Sequence, residues 1–494
     1  VWLRAVMKIV PQIDTYPRLV GLGQTALGKA ALIAAFAWGL HLHGTDSWIE
    51  IAAAVALIAC FPEQRRLLTS MAALYWLFFH PTWLNWGFLQ RLAKAAGQRT
   101  DWPLALLVFG ILAAVFCVLA GFFRYVRERR VSFAAKRPVL CLVGSYAAML
   151  AAAGLLPPGG MTRLLVWGVL AVTAPYLWYF AYALKDASSK TPDGATLQFG
   201  TLQPFWGGTN VPYAKGAANL RKIEARNPKD LSVIRLKGIK LLLWGLILRV
   251  ALRALGVFVY GEPLHALRIA GLADWNAPNL GVPRLEAALQ LAAVPVHVAW
   301  ASVMAHFAEV ILSLTVNGSV IIACCRMAGF YALRNTYRPL EARTLAEFWN
   351  RYYYYFKELL VTFFFFPVFT RYFKQYARLR VLAATMAAAT AGNMVYHFLR
   401  DYWQVAGMGL WPALAGFQVY GFYATVLGLG IGISQLRGHG KERWGGDAPW
   451  WRRALATAGV LLFFSLLEIF DQEGRSYGLG QCLRFFLRLF LIPV

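Results

Sequence analysis

The chain has 494 residues, of which 59% are hydrophobic, 15% aromatic and only 15% charged. Soluble proteins carry about 25% charged residues, so this composition excludes a water-soluble globular protein and points to a chain whose solvent is mostly lipid. Lys and Arg total 49 against 23 Asp and Glu, a net +26; in so apolar a chain that excess belongs to cytoplasmic loops beside anionic lipid rather than to nucleic-acid binding.

Taken in chain order, apolar runs near the length of a bilayer-crossing helix fall at Ala26–His43, Trp48–Phe61, Leu67–Leu89, Pro103–Phe123, Pro138–Leu156 and Arg163–Leu184. They resume at Ile239–Tyr260, Leu289–Val316, Leu359–Phe373, Leu379–Leu399, Leu410–Leu436 and Ala454–Ile469, while Phe485–Val494 is too short to span alone. The fold class expected is therefore an all-α polytopic membrane protein of about 10–12 transmembrane helices. The first residues lack a cleavable signal pattern, so insertion is expected to use the first spanning helix. The basic loops Arg124–Arg137 and Lys185–Lys237 are placed in the cytoplasm, with the N-terminus, by the positive-inside bias. The chain divides into N-terminal helices (1–184), a polar segment (185–237), a core (238–436) and a C-terminal part (437–494).

That polar segment is too long for an idle connection. Its "FGTLQPFWGGTNVPYAKGAANLRKI" has neither helical nor strand periodicity. It reads either as a plain loop or as a segment dipping into the membrane face, packed by Phe205, Trp206 and Tyr213, where only protein or a water cavity could cover its backbone. The six cysteines, Cys60, Cys117, Cys141, Cys324, Cys325 and Cys482, form no CxxC pair and suggest neither a disulfide framework nor a zinc site.

Ionisable groups inside spans are costly and mark candidate sites. His306 and Glu309, three residues apart, share a helix face, with His297 on the same segment; too few ligands converge for a metal, and an interhelical hydrogen-bonded pair is the simpler account. In "GNMVYHFLRDYW", Asn393, His397 and Asp401 recur every four residues. One face could thus align amide, imidazole and carboxylate, with Asp401 holding a His397 tautomer and the other nitrogen free to act as a base. A histidine at a helix end beside Arg400 and Asp401 can equally be interfacial.

A longer pattern follows from "NGSVIIACCRMAGFYALRNTYRPLEARTLAEFWNRYYYYF". Gly318 and Ser319, then Arg326, Gly329 and Phe330 (RxxGF), Asn335, Arg338 and Pro339 (NxxRP), and Glu347, Phe348, Trp349 and Arg351 (EFWxR) follow in order. This run resembles the signature region of the membrane-bound O-acyltransferase (MBOAT) family, in its bacterial alginate O-acetylase and D-alanyl-transfer branch. The family's helix-end histidine falls on His397, and its earlier FFPxxxAGPI element resembles the stretch around Gly208 and Pro212. The resemblance covers roughly Phe199 to Leu436. Tyr353 stands where the family has a His or Asn, and Val320 where it has an acidic residue.

The resemblance implies helices around a central tunnel and a multi-pass protein of the bacterial inner membrane. An acyl group, acetyl by the family's habit, would pass from a cytoplasmic thioester (an acyl-CoA or acyl-carrier thioester as co-substrate, with no bound cofactor or metal) to a hydroxyl. The acceptor would be a polysaccharide or other envelope polymer, or a periplasmic transfer partner. His397 would be the general base, with Asn393, Tyr353 and Asp401 around it. Arg326, Arg338, Trp349, Arg351 and Asn335 would face the donor, with Arg338, Arg343 and Arg351 meeting phosphates or lipid headgroups. No nucleophile elbow is present to suggest a serine acyl-enzyme. The competing expectation is an MBOAT-like protein without transfer chemistry that binds or moves a lipid or acyl group. An ion-coupled transporter would need intramembrane carboxylates, which look scarce in the sequence.

Overall fold

In hydrocarbon the backbone can pair its N–H and C=O groups within a single segment only as a helix, and the apolar runs obey that constraint. The computed structural model describes residues 10–493 except 81–83, 130–131, 188, 190–196, 199, 208–210, 214, 264–277, 291–293, 439–448 and 472–476. Gly208, part of the family-like stretch, lies outside the described residues. Among the described residues there is no strand, only an isolated bridge between Glu224 and Phe330.

Six helices among them are long and apolar enough to cross a membrane. Four come early: α1 (Trp102–Glu128), α2 (Met161–Ala187), α3 (Pro228–Tyr260) and α4 (Val296–Met327). After the short helices α5 (Leu345–Tyr352), α6 (Tyr354–Leu360) and α7 (Asn393–Arg400) come α8 (Gln418–Arg437) and α9 (Trp450–Phe470). Trp48–Cys60 and Pro138–Gly154 are apolar but shorter. The chain is an all-α polytopic membrane protein.

Several expected spans are broken rather than continuous. Leu67–Leu89 divides into helices Arg65–Phe79 and Trp86–Ala95. Leu410–Leu436 divides at Gly416 and Phe417. Leu289–Val316 begins as a separate turn, Leu285–Gln290, and α4 then runs past Val316 to Met327, so Arg326 lies inside a helix. Hydropathy cannot see such breaks, because a turn packed within protein is as apolar in composition as the helices it joins.

Helices α3 and α4 lie antiparallel, with Gly238 against Ala323 and Arg326 and Gly245 against Val316 and Ser319. Among the described residues the interior holds two large apolar clusters and a small one of Ala225, Leu231 and Ile234. Of the large ones, one gathers the N-terminal helices, α2 and α6; the other gathers α4, α5, α8, α9 and the helix Leu479–Leu489. Trp349 and Phe398 pack against both, and the candidate site lies on this seam.

The polar segment dips into protein rather than looping outside it. Phe205, Trp206, Val211 and Tyr213 are buried. Tyr179 Oη donates to the Val211 carbonyl (3.2 Å), and Gln203 Nε2 donates to the His80 carbonyl (2.8 Å) while its Oε1 accepts from Tyr176 (2.6 Å). Non-helical backbone is thereby covered and paired, as burial in a membrane protein requires.

Two π-helical turns, Val361–Phe365 and Ala387–Gly392, face each other just before the site. Such turns are rare and concentrate where function needs a helix re-aimed. Here Gly392 allows the approach, since a Cβ there would meet the Phe364 ring at 2.7 Å. Gly392→Val should therefore lower stability by about 1–3 kcal/mol through overpacking, read as thermal unfolding in detergent. Gly459→Ala, where an added Cβ meets nothing within 4 Å, should not. Equal midpoints for the two variants would refute this account of the packing.

Candidate functional site

The site begins at a break between two helices. Helix α5 is amphipathic and starts on a capping pair: Thr344 Oγ1 accepts from Glu347 N (3.1 Å), and Glu347 Oε2 accepts from Arg343 N (2.8 Å). It stops at Tyr352. Tyr353 leaves helical geometry (φ −136°, ψ 75°) and α6 begins at Tyr354. A new helix start exposes unpaired N–H groups. Asn335, fully buried, takes two of them: its main-chain oxygen accepts from Tyr354 N (2.8 Å) and its side-chain oxygen from Tyr355 N (3.3 Å). Asn335 fits there because Gly318 on α4 has no side chain; a Cβ would lie 2.9 Å from that of Asn335. The adjoining loop is tied on by Tyr337 N to the Arg351 carbonyl (2.8 Å) and Thr336 Oγ1 to the Tyr352 carbonyl (2.9 Å).

This joint holds Tyr353 with its ring 5.4 Å from Phe356 and its hydroxyl bonded to that of the buried Tyr213. From the opposite side α7 brings His397. The imidazole lies 6.1 Å from Phe356 at 88°, 5.2 Å from Tyr396 and 4.2 Å from Tyr420 (ring centroids). Phe356 and Tyr396 belong to one apolar cluster and Tyr420 to the other, so His397 stands where they meet. Asn393, 1% exposed, is one turn away and accepts from Tyr420 Oη at 3.1 Å. Tyr353, Asn393 and His397 thus come together around Phe356 and Tyr420.

The remaining expected residues divide. Asp401 closes α7, and both its carboxylate oxygens are engaged by the adjacent Arg400 guanidinium (3.1 and 3.5 Å). Arg326, buried, donates to the Ala332 carbonyl through Nε (3.0 Å) and Nη2 (2.8 Å), and to the Lys237 carbonyl through Nη1 (3.3 Å). It clasps the turn after α4. Arg338, in the left-handed region at φ 54°, pairs with Glu341 (2.6 Å); Arg351 pairs with Glu347 (2.5 Å) and reaches the Arg338 carbonyl (3.2 Å). Trp349 lies at the seam, 6.3 Å from Phe356. These arginines and Asn335 have structural partners that build the joint under Tyr353.

His306 and Glu309, which share a face of α4, each find a partner outside that helix. Glu309 accepts from Arg284 on both oxygens (2.8 and 3.0 Å), whereas His306 turns to Glu468 of α9 (4.0 Å). Glu468 is 7% exposed. It is an intramembrane carboxyl that sequence reading passed over, because "LLEIFDQ" lies beyond the family-like region and near a span end. A second group passed over is Lys215, which bonds Glu358 (2.5 Å) beside Lys357 (3.0 Å) and Tyr354; a lysine in a Gly/Pro-rich loop carries no sign of its distant partner.

No family model matches the chain, and comparison with curated proteins returns no match.

Asn335→Ala should leave the Tyr355 N–H buried without its acceptor, at a cost of about 1–3 kcal/mol. The measurement is unfolding of the purified protein, with a loss under about 0.5 kcal/mol contradicting the role given to Asn335.

Proposed function

We propose that the protein is a membrane-embedded O-acyltransferase of the MBOAT type. The observation that carries this reading is the convergence of His397 and Tyr353 on Phe356, from a helix entered through a π turn and from a break between two others. Helices are interrupted there at a structural cost, and the interruptions present an imidazole and a phenol to one place. The ordered RxxGF, NxxRP and EFWxR matches agree with it.

In this reading His397 accepts the proton of an acceptor hydroxyl as its oxygen attacks the acyl carbonyl of a thioester, and the thiol leaves. Tyr353 donates a hydrogen bond to the carbonyl oxygen as negative charge develops on it. Asn393 holds Tyr420 against the imidazole. Asp401 is neutralised by Arg400, so its part is to anchor the end of α7. The donor, acyl-CoA or an acyl-carrier thioester, enters from the cytoplasm. The acceptor is an extracytoplasmic hydroxyl, best matched by a polysaccharide of the bacterial envelope or a periplasmic transfer partner.

His397→Ala should lower acyl transfer by roughly 10²–10⁴-fold at normal membrane expression, and Tyr353→Phe by about 10²-fold, both read as acylation of envelope polymer in cells. Transfer within about threefold of wild type in His397→Ala would end the reading, because a general base contributes far more.

Sidedness gives an independent check. Leu340 and Tyr337 are exposed on the loop before α5. In a background where the exposed Cys60 and Cys117 are serine, Leu340→Cys should react with an impermeant thiol reagent in inverted vesicles and not in intact spheroplasts. Reaction from the periplasmic side would place the donor entrance on the wrong face.

A further inference from the structure

The N-terminal helices enclose a pocket that the centre at His397 does not use. Leu119, Phe122 and Phe123 of α1 line it, as do Phe180, Ala183 and Leu184 of α2. Both sets have the i, i+3, i+4 spacing of one helix stripe, so the pocket is a slot between two helix faces. Leu142 of the helix Pro138–Gly154 and Gln198 of the polar segment add to its wall. The slot measures about 270 Å³ including its mouth. Clefts that take drug-sized molecules hold roughly 300–1,000 Å³, so a narrow ligand suits it better. The opposite face of α2 belongs to the candidate site: Trp178 stacks on Tyr396 (5.9 Å) and Tyr182 meets Phe363 (4.8 Å).

Gln198 distinguishes this slot from a packing gap. The residue is 1% exposed, and neither its amide oxygen nor its amide nitrogen has a hydrogen-bonding partner among the described residues. Buried polar groups are nearly always paired, and an exception calls for an explanation. The backbone there is pinned: Thr201 donates to the Gln198 carbonyl through Oγ1 (2.8 Å) and N (3.2 Å), and a Cβ at Gly200 would collide with Ser70. The amide is therefore held at the slot. A lone water would find one amide among hydrocarbon side chains, whereas a buried water typically makes about three hydrogen bonds. The mouth lies at Leu119 and Phe122, which are half-buried while the other wall residues are buried; Val118 and Leu140, close by in sequence, are exposed. On these apolar helices that exposure is to hydrocarbon. Arg124 directly follows Phe123 and Lys185 directly follows Leu184, which sets the slot near a membrane interface, at the depth of lipid esters, rather than at mid-bilayer.

We propose that this slot binds one acyl chain of a membrane phospholipid, with the ester carbonyl of that chain accepting a hydrogen bond from the Gln198 amide. The chain fills the space between the two stripes, and the ester supplies the polar partner that Gln198 lacks. The basic run Arg124–Arg137 beside the mouth favours an anionic headgroup. The lipid is a resident ligand and not a substrate, so nothing here rests on the acyl-transfer reading.

The test uses the purified full-length protein in lipid nanodiscs. The probes are a phosphatidylglycerol with a photoreactive diazirine in one ester-linked chain, and the same lipid with that chain ether-linked. Crosslinks from the ester lipid should map to Leu119, Phe122 or Leu142 and be outcompeted by unlabelled phosphatidylglycerol. The ether lipid lacks the carbonyl, so wild type should label at least about fivefold less with it, the worth of one hydrogen bond to an otherwise unpaired buried group. Gln198→Leu should label equally with both. Ala183→Leu fills the slot and should lose the label; Gln198→Leu, which removes only the amide, serves where Ala183→Leu does not fold. No crosslink at these residues in wild type, label spread equally over the exposed Val118 face, or equal labelling of wild type by the two lipids overturns the site. Acyl transfer enters none of these measurements, so the lipid site and the acyltransferase can fail separately.

Discussion

Everything at the centre of this protein depends on one constraint: within hydrocarbon, each backbone N–H and C=O must find a partner inside the protein. A bundle of uninterrupted helices meets it automatically and presents only side-chain surfaces. This chain interrupts its helices, at 200–207 and 211–213, at Tyr353 and at two π turns, and each interruption leaves groups to be paired. The partners are side chains from elsewhere in sequence. Tyr179 serves the buried polar segment, Gln203 of that segment the helix end at His80, Asn335 the start of α6 and Arg326 the turn after α4. An unpaired buried group costs about 1–3 kcal/mol, so a few unpaired breaks would consume much of the 5–15 kcal/mol that holds a protein folded. Side-chain pairing makes the broken geometry tolerable, and the broken geometry brings His397 and Tyr353 to one ring.

That constraint changes what the motif residues mean. Arg326, Asn335, Arg338 and Arg351 look in sequence like a basic edge awaiting an anionic ligand. In the structure the arginines donate to carbonyls and to Glu341 and Glu347, and the Asn335 oxygens accept from main-chain amides. A guanidinium presents five donors in a fixed fork, which suits it to gathering several carbonyls at one turn, and Arg326 does this with Ala332 and Lys237. Order within a motif can thus reflect the building of a joint as readily as contact with a substrate.

The membrane class and the long helices could be read from composition and hydropathy. The i, i+4 repeat put Asn393 and His397 on one face, and Asn393 is indeed one turn from the imidazole, acting through Tyr420. The helix breaks could not be read, because π turns and the stop at Tyr353 are selected by packing: Gly392 against Phe364, and Gly318 against Asn335. Period alone cannot say which of two neighbours a polar side chain turns to. Glu309 and His306 share a face of α4 and still part company, because Arg284 lies near one and Glu468 near the other.

Charge placement around His397 follows from the same geometry. A helix-end carboxylate four residues from an imidazole suggests a buried acid–base couple, yet Asp401 has Arg400 on both oxygens, and a carboxylate so engaged contributes little net negative field. The carboxyl of Glu468, on α9, faces His306, and Tyr420 is the ring that touches the His397 imidazole. At a given distance a charge acts more strongly in an apolar interior than in water. The rings of Phe356, Tyr396 and Tyr420 pack around His397, while its sequence neighbour Asp401 is engaged by Arg400. Proximity in sequence does not decide the neighbours of an imidazole, because the fold decides which cation each carboxyl reaches.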